Sequence, residues 1–500
     1  MKAIIVTFQN DMALLGPRSL AAQSAKAGNE CLILSIPATA HRCVKSARIA
    51  AAVQWIREQR PGLVGISLMT AQATAAERLT EQLRRCQIPV AWGGVHPTAA
   101  PHACAGRADF IVRGPGERPW TALLQAFAAA GPATAAQPEL PAPWTYEAGA
   151  HIWPGDSDEV APWPEPEPPD LSCQGKYLLT GSAVTPLTPA LRARFQPYSI
   201  GLHYLRTGRN CPYRCSYCAY DAGRGCVKPS RTISAVIAEA RLAITEFPQL
   251  LGFTFVDESF LARSRAWLDE FCATYRERVG LPFFAELDPR AIDARRLSSL
   301  LAAGLTGAQV GIQSANSRIC AGMYNRQISR RQLDRSMALL RAGQRRLRYY
   351  WFDVIVGNPY ETPEERLNTI RYLSYPPRGS HINLFQLAVF PGTELAKQVA
   401  CGALSVAQEA ISGEFAAHQP SAENRLFSLL PTLPRWLTRR LTAAPLSGQR
   451  SAVVHALYVL LRAVPRRAGG PLTRPVWWFL LLRPAIPRSW RWWLFTRLLG

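Results

Sequence analysis

Hydrophobic residues in the first 130 positions form short continuous runs that alternate with amphipathic segments. Stretches with helical spacing, such as residues 46–59 and 75–86, separate five mainly apolar runs at 3–8, 30–37, 63–69, 89–94 and 109–114. Near-continuous apolar strands, each followed by a helix, indicate a parallel sheet covered on both faces. The pattern predicts a Rossmann-like α/β domain over residues 1–131, with ligands bound at the carboxyl ends of its strands.

The same alternation returns over residues 196–395. Predicted helices such as 233–247 and 330–343 separate six apolar runs, at 201–208, 252–257, 282–287, 307–314, 349–357 and 382–390. Six strand-and-helix units predict a partial, TIM-like (β/α)6 barrel. Its active site should face the carboxyl ends of the strands.

Two regions depart from this alternation. Residues 132–195 are rich in Pro, Ala and acidic residues, a composition typical of a linker. Residues 396–500 mix apolar, Arg and Pro segments, and we expect a basic, mostly helical C-terminal region there. The net charge of +22 is concentrated in that region, because no acidic residue follows Glu423 whereas 13 arginines and six of the 14 tryptophans do.

This basic, aromatic tail allows three interpretations. Arg interleaved with Trp and Leu, as in residues 435–441, 453–467 and 475–500, suits a segment that lies on anionic lipid or contacts a lipophilic substrate. None of its apolar runs reaches the roughly 20 residues that span a bilayer. A domain packed on the barrel with Arg outward, or contact with RNA, would give a similar composition. Nucleic acid is the least favoured partner of the three.

The composition favours a folded protein in a reducing compartment. Apolar residues make up 48% of the chain and charged residues 18%, which is typical of globular proteins. Nine of the twelve cysteines are scattered singly, and the N-terminus has no long apolar core of a secretion signal. We therefore expect a cytoplasmic enzyme or binding protein, with membrane association through the tail as an open addition.

Three cysteines stand close together in CPYRCSYC, residues 211–218, after the first strand of the predicted barrel. Three residues separate Cys211 from Cys215, two separate Cys215 from Cys218, and Tyr217 precedes the last cysteine. Thiolates bind iron–sulfur clusters or zinc. A closed zinc site needs a fourth ligand, for which Cys226 is the near candidate. A [4Fe–4S] cube held by three thiolates instead keeps one iron open for substrate or cofactor.

This loop resembles the signature of the radical S-adenosylmethionine (SAM) superfamily, CxxxCxxC with an aromatic residue before the third cysteine. The resemblance covers residues 196–395 and implies a [4Fe–4S] cluster on Cys211, Cys215 and Cys218, with Tyr217 beside the cofactors. It further implies that the open iron chelates SAM and that one electron releases a 5′-deoxyadenosyl radical. An electron donor such as flavodoxin or ferredoxin is then required.

Other strand ends of the barrel resemble SAM-contacting segments of the superfamily. Asp257 and Glu258 follow the second strand, where many members carry Gly-Gly-Glu, and would receive the SAM ammonium. Gln313 and Ser314 would lie at the barrel mouth after the fourth strand. Gly357 would let the backbone approach the adenine.

Some residues at the strand ends have purely structural interpretations as well. Glu361 and Thr393 suit turns or helix caps as well as SAM contacts. Charged residues near the predicted cavity could contact substrate or form structural salt bridges, and both interpretations stay open for Arg209, Glu286, Asp288 and Arg290.

Three loops of the N-terminal block resemble the cobalamin-binding domain that precedes the barrel in one radical SAM class. Its pattern Gly-Gly-x-His-Pro-Thr matches residues 93–98, its Gly-x-Gly-Glu matches 114–117, and residues 67–72 supply the remaining loop. The resemblance implies cobalamin contacts from Met69, Thr70, Gly93, Gly94, His96, Thr98 and Glu117.

We do not expect His96 to ligate cobalt, because the cobalt-ligating DxHxxG motif of methyltransferases and mutases is absent. We interpret His96 as a corrin side-chain contact or a loop-fixing residue. No GxGxxG follows the first strand, so a dinucleotide is not indicated. A Rossmann-like domain without a cofactor is the alternative.

The two resemblances together imply a cobalamin-dependent radical SAM enzyme. The commonest chemistry of that class is methylation of an unactivated carbon by way of methylcobalamin and the 5′-deoxyadenosyl radical. The substrate would be a small molecule, a lipid or a peptide. Oxidative cyclisation or rearrangement without methyl transfer is one alternative, and a non-catalytic cobalamin- or lipid-binding protein is another.

Overall fold

A computed structural model describes most of the chain as one mixed sheet and one parallel sheet, each with flanking helices. The described residues are 1–38, 44–130, 139–154, 168–209, 211–219, 231–377, 379–404, 421–431 and 433–463. Strands and helices alternate along the chain where apolar runs alternate with helical stretches in the sequence. This confirms the α/β fold class with a Rossmann-like domain and a partial barrel.

The N-terminal sheet is built on five parallel strands in the spatial order β5-β4-β3-β1-β2. They are β1 (Lys2–Thr7), β2 (Glu30–Ser35), β3 (Leu63–Ser67), β4 (Val90–Gly93) and β5 (Phe110–Val112). The helices between and after them are α1 (Leu15–Lys26), α2 (Ser46–Gln59), α3 (Ala73–Arg85), α4 (Val95–Ala99), α5 (Pro101–Cys104) and α6 (Glu117–Ala130). Separate apolar clusters cover the two faces, as the continuous apolar strands predict.

The segment predicted as a linker extends this sheet at both edges. Its strands are β6 (Thr145–Glu147), β7 (Ala150–Trp153), β8 (Lys176–Thr180) and β9 (Ala183–Pro186), and a short helix α7 (Pro189–Arg192) follows. β7 pairs with β5 in parallel and β8 pairs with β2 in parallel. The linker interpretation of residues 132–195 is therefore wrong for these strands. Their stability comes from pairing with distant edges, which local composition does not reveal.

The second sheet consists of six parallel strands that neighbour one another in chain order. They are β10 (Leu202–Leu205), β11 (Gly252–Phe255), β12 (Phe283–Leu287), β13 (Leu305–Gln313), β14 (Tyr349–Val356) and β15 (Ser380–Gln386). The connecting helices are α8 (Ile233–Glu246), α9 (Arg265–Arg278), α10 (Ala294–Ala303), α11 (Arg330–Ala342), α12 (Pro363–Tyr372) and α13 (Glu394–Ala400). Each predicted strand lies within a few residues of an observed one.

The described part of the C-terminal region is helical, as predicted. It contains the helices Ala422–Leu429, Arg435–Leu441 and Gly448–Ala463. Leu426 and Phe427 belong to the buried core of the barrel, whereas Trp436 is 65% exposed. None of the described helices is long and apolar enough to cross a membrane. The predicted amphipathic stretch 475–500 lies outside the described residues.

A buried contact joins the two sheets. The guanidinium of Arg18 on α1 is fully enclosed and donates to Tyr198 Oη and to the Met12 carbonyl, each at 3.1 Å. The backbone amide of Met12 in turn donates to the carbonyl of Gln196 at 2.8 Å. These bonds fix the N-terminal sheet against the segment that precedes β10 of the barrel.

Candidate active site

A cavity of about 1040 Å³ lies between the two sheets, at the carboxyl ends of their strands. One wall comes from segments after β1 and β3, including Gln9, Met69 and Thr70. The opposite wall comes from the cysteine loop and from β13, β14 and β15, including Tyr217, Cys218, Gln313, Asp353 and Gln386. A second cavity of about 390 Å³ adjoins it and is lined by Gly93, Gly94, Thr98 and Glu117, among others.

The cysteine loop is held in place by its backbone. The amide of Ser216 donates to the Tyr324 carbonyl at 3.0 Å, and the Ser216 carbonyl accepts from the Leu395 amide at 2.8 Å. The loop thereby carries three half-buried cysteine thiols at the end of β10, on Cys211, Cys215 and Cys218. Within the described residues, no group of three or more His, Cys, Asp or Glu side chains is placed to hold a single metal ion. A [4Fe–4S] cube does not need such a site, because each thiolate binds a different iron. Cys226 lies outside the described residues.

Charged residues after β12 form a network beside this loop. The guanidinium of Arg290 donates to both carboxylate oxygens of Asp288, at 2.8 and 2.7 Å. Arg326 approaches Asp288 Oδ2 at 3.1 Å and donates to the Gly311 carbonyl at 2.6 Å. Burial alone would raise the pKa of Asp288, but the two guanidinium groups hold that pKa below its usual value. Asp288 is therefore a charged carboxylate in a salt-bridge network.

No sequence motif marks Arg326, because its contacts depend on how the segment after β13 packs. Only 3% of this residue is exposed, and its guanidinium also contacts Gln313 Oε1 and, at 3.4 Å, Tyr217 Oη. Gln313 follows a register shift between β13 and β14 and has a φ of 57°, in the left-handed region. The shift turns Gln313 toward the cavity, where Tyr217 also lies.

Ser314 has a different position from the predicted barrel mouth. Its side chain is buried and donates to Glu361 Oε1 at 2.8 Å, and Asn316 Nδ2 donates to its hydroxyl at 3.1 Å. These contacts join the end of β13 to the segment before α12. Thr393 caps α13 by accepting a hydrogen bond from the Ala396 amide, in line with the plainer interpretation of that residue.

Asp257 also has a different surrounding from the one that a SAM contact would need. It is fully buried and accepts hydrogen bonds from Thr207 N and Oγ1, at 3.0 and 2.8 Å, and from Arg263 at 2.7 Å. These bonds anchor the end of β10 just before the cysteine loop. Glu258 is nearly buried and has Arg206 Nη2 at 3.7 Å from its Oε1. Glu258 lines neither of the two cavities, and its contact with the SAM ammonium stays a prediction.

Gly357, at the end of β14, makes room for a neighbouring side chain. Its φ is +71°, and a Cβ on its backbone would overlap the side chain of Gln386. Gln386 lines the large cavity. The absence of a side chain at Gly357 therefore lets an amide reach the cavity wall.

The fourth and fifth loops of the N-terminal sheet are joined by Thr98. Its hydroxyl donates to the Gly94 carbonyl at 2.7 Å and accepts from the Gly114 amide at 2.9 Å. Gly94 has a φ of +104°, and a Cβ there would lie 2.8 Å from the Leu68 carbonyl oxygen. These residues fix a turn whose backbone, without side chains, borders the smaller cavity.

His96 is buried beneath this turn and lines neither of the two cavities. Burial lowers the pKa of its imidazole, which therefore stays neutral. Its Nδ1 has no hydrogen-bond partner within the part of the chain that the structure describes. The two roles predicted for His96, a corrin side-chain contact or a loop-fixing residue, stay predictions.

Glu117 forms an ion pair across the domain interface. Its carboxylate begins α6, borders the smaller cavity and pairs with Arg209, two residues before the cysteine loop, with Arg209 Nη1 3.0 Å from Glu117 Oε2. Ser19 Oγ donates to the same carboxylate at 3.2 Å. Burial alone would raise the pKa of Glu117, but Arg209 holds it below its usual value.

Comparison with known proteins assigns a family domain to each of the two sheets. The family model described as the B12 binding domain matches residues 1–124, and that of the radical SAM superfamily matches residues 205–373. The chain belongs to the cobalamin-binding radical SAM family. Its two domains imply cobalamin, a [4Fe–4S] cluster and SAM as cofactors. No curated protein matches the chain.

Two solved structures of radical SAM enzymes share the fold of this family member. The methyltransferase TsrM from Kitasatospora setae, with cobalamin and a [4Fe–4S] cluster bound, is 18% identical with a TM-score of 0.61, over 81% of this chain and 79% of that one. The cobalamin-dependent enzyme OxsB, with aqua-cobalamin bound, is 12% identical with a TM-score of 0.57, over 92% and 75% of the two chains.

The residues present fit the implied cofactors. Three thiols stand on one loop, and a thiolate is the donor that an iron–sulfur cluster needs. The bare turn at Gly93 and Gly94 borders the smaller cavity and lets a large ligand approach the backbone closely. The larger cavity reaches Cys218 of the cysteine loop and Val95 next to the turn.

Proposed function

We propose that this protein methylates an unactivated carbon of a small-molecule, lipid or peptide substrate. The observation that supports the proposal is the single cavity of about 1040 Å³ whose walls are the loop at Met69 and Thr70 and the cysteine loop at Tyr217 and Cys218. When bound, SAM at the cluster supplies a hydrogen-abstracting radical, and cobalamin supplies the methyl group. A substrate in this cavity would be in reach of both.

The residues of the chain would bind and orient the reactants. Cys211, Cys215 and Cys218 would hold the cluster, and Glu258 would accept a hydrogen bond from the SAM ammonium. Polar side chains on the cavity wall would orient the SAM ribose and the substrate, namely Gln313, Asp353 and Gln386. The loops that enclose the cavity would limit the access of water to a reactive radical.

The size and mixed chemistry of the cavity support the proposed substrate classes. Its wall combines amide and carboxylate groups with apolar residues such as Ile355 and Phe385. TsrM is described with a tryptophan substrate and a SAM analogue bound, so one protein of the same fold acts on a small molecule. An electron donor such as flavodoxin or ferredoxin would reduce the cluster.

The decisive experiment is anaerobic. The reconstituted protein would be given reductant and SAM, and S-adenosylhomocysteine and 5′-deoxyadenosine would be quantified. We expect both products, because cobalamin can accept the methyl group of SAM even without substrate. Formation of 5′-deoxyadenosine alone would favour cyclisation or rearrangement. Neither product, with cluster and cobalamin confirmed by absorption spectra, would favour the non-catalytic binding protein.

The assignment of the cysteine loop predicts the behaviour of Cys215→Ala. This variant should lose the cluster and SAM cleavage but still bind cobalamin, because the loop and the N-terminal turns are separate segments. Iron and sulfide content, 5′-deoxyadenosine and cobalamin absorbance would be measured. Cys401→Ala, which removes an exposed cysteine, is the matched control. Retained SAM cleavage in Cys215→Ala would contradict the assignment.

We also propose that the C-terminal region contacts the membrane surface. Trp436 is 65% exposed beside Arg439 and Arg440, on a helix whose inner residue Leu441 packs into the barrel core. Because this helix contributes to that core, the test keeps the helix and replaces the exposed Trp436, Arg439 and Arg440 by alanine. Co-sedimentation with phosphatidylglycerol vesicles should be weaker for this variant, whereas equal sedimentation of the variant and the unaltered protein would contradict the proposal.

A further inference from the structure

The side chain of Arg290 lies beside the middle cysteine of the trio. Its Nη2 is 3.9 Å from Cys215 Sγ, within the range of a weak N–H···S hydrogen bond. Arg290 belongs to the short helical turn Pro289–Ala291 after β12, whereas Cys215 follows β10. The parallel arrangement brings both to the same end of the barrel.

Three contacts fix the orientation of this guanidinium. Asp288 accepts from its Nε and its Nη2, at 2.8 and 2.7 Å, which is a bidentate pair. The face of the guanidinium stacks on the ring of Tyr213, with the Cζ atom 3.4 Å from the ring centroid. Tyr213 is itself part of the cysteine loop. A planar group held by a carboxylate and a ring cannot easily turn away from Cys215.

The charges around this contact do not cancel. Asp288 contributes one negative charge, whereas Arg290 and Arg326 each contribute one positive charge, so the group carries a formal charge of about +1. Only 9% of the Arg290 side chain and 4% of the Arg326 side chain are exposed, so water screens this charge weakly. Reduction of a thiolate-bound cluster adds a negative charge, which a neighbouring cation and an N–H donor to the thiolate stabilise.

We propose that Arg290 is a positioning residue that raises the reduction potential of the cluster bound by Cys215. The hydrogen bond to Cys215 Sγ and the excess positive charge both favour the reduced state. In the one-electron step, the oxidised [4Fe–4S]²⁺ cluster accepts an electron from a flavodoxin- or ferredoxin-type donor and becomes [4Fe–4S]⁺. This inference rests on the proposed cluster site but not on methyl transfer.

The test is a redox titration of the reconstituted full chain, with dithionite as reductant and EPR of the reduced cluster as the readout. Arg290→Gln should shift the midpoint potential to a more negative value, because it removes the charge and the fixed donor. Arg290→Lys keeps the charge but loses the bidentate pair, and should shift the potential less. Arg295→Gln removes an equivalent charge from the exposed face of α10 and should leave the potential unchanged.

The outcomes separate this inference from the proposed function. An unchanged potential in Arg290→Gln, with full iron and sulfide content, would overturn the role of Arg290 and leave the cluster assignment intact. If Arg290→Gln does not load the cluster, Arg290→Lys decides, and a potential equal to that of the unaltered protein would overturn the proposed role of the fixed donor. A full chain that binds no iron and sulfide would instead overturn the proposed function itself.

Discussion

Glu286 on β12 and Asp353 on β14 share the lumen of the barrel. Gln309 on the strand between them donates to Asp353 Oδ2, and Asn383 on β15 donates to Asp353 Oδ1, both at 2.8 Å. Burial raises the pKa of Glu286 to about 8, and the nearby charge of Asp353 adds to this rise. Burial likewise raises the pKa of Asp353 to about 6. The lumen therefore holds one carboxyl group, that of Glu286, that keeps its proton at neutral pH beside Asp353, which is mostly ionised there.

The raised pKa of Glu286 predicts how the stability of the protein depends on pH. Above pH 4.5 the unfolded chain releases the Glu286 proton, whereas the folded chain keeps it up to about pH 8. Stability therefore falls with rising pH in this interval. Glu286→Gln has no proton to lose at this position. The difference in the free energy of unfolding between Glu286→Gln and the unaltered protein should therefore shift in favour of the variant by more than about 1.4 kcal/mol between about pH 5 and about pH 8.

Urea unfolding at the two pH values would measure this difference. Glu277→Gln, on the exposed face of α9, should show no comparable change with pH. Parallel pH dependence in Glu286→Gln and the unaltered protein would show that Glu286 ionises normally.

Gly357, at the end of β14, can be compared with Gly402 to find what a side chain would cost at this position. Gly357 and Gly402 have nearly the same backbone angle, with φ values of +71° and +75°. A Cβ on Gly402 would meet nothing within 4 Å, whereas a Cβ on Gly357 would overlap Gln386. The two glycines therefore separate the cost of the backbone conformation from the cost of a steric overlap.

Replacement of each glycine by alanine should give different results. Gly402→Ala should cost about 1 kcal/mol, since only the left-handed conformation is penalised. Gly357→Ala should cost slightly more, because the flexible amide end of Gln386 must also leave its place on the cavity wall. Free energies of unfolding would test this, and Gln386→Ala in the background of Gly357→Ala should recover the excess. Equal costs for the two single variants would contradict the steric argument.

The elements that the sequence predicts are those with local signals. Apolar runs and helical spacing predict β1–β5 and β10–β15, because burial on both faces leaves a continuous pattern in each strand. The strands β6–β9 are missed, since their pairing partners are distant in sequence. The placements of Ser314 and Asp257 depend on the bulge in β13 and on the position of Arg263, neither of which has a sequence signature. The cysteine loop is found because its ligands are adjacent in sequence.

At the scale of the whole molecule, the pair of Glu117 and Arg209 connects the cobalamin-type domain to the cysteine loop. Glu117→Gln should lower the free energy of unfolding by about 2 kcal/mol near pH 7, since a buried, charge-assisted pair is broken. Because the pKa of Glu117 is lowered from 4.5, this contribution is complete above that pH and is lost as the pH falls through the folded-state pKa.

Unfolding at about pH 7 and at about pH 3 would test this sign. The difference between Glu117→Gln and the unaltered protein should be largest at the higher pH and shrink at the lower one. Glu30→Gln, which breaks an exposed pair with Lys2, serves as the control and should change stability little. A difference that grows on acidification would refute the assignment.

The hairpin of β8 and β9 has a practical consequence for dividing the chain. β8 covers the free side of β2 through backbone pairing at Ile33, Leu34 and Ser35. A fragment that ends at residue 131 would leave this side as an open sheet edge, and such edges pair with one another and aggregate. A separately expressed N-terminal domain should therefore extend through Pro186. Its outermost strand on this side is then β9, which is also the edge strand in the full chain.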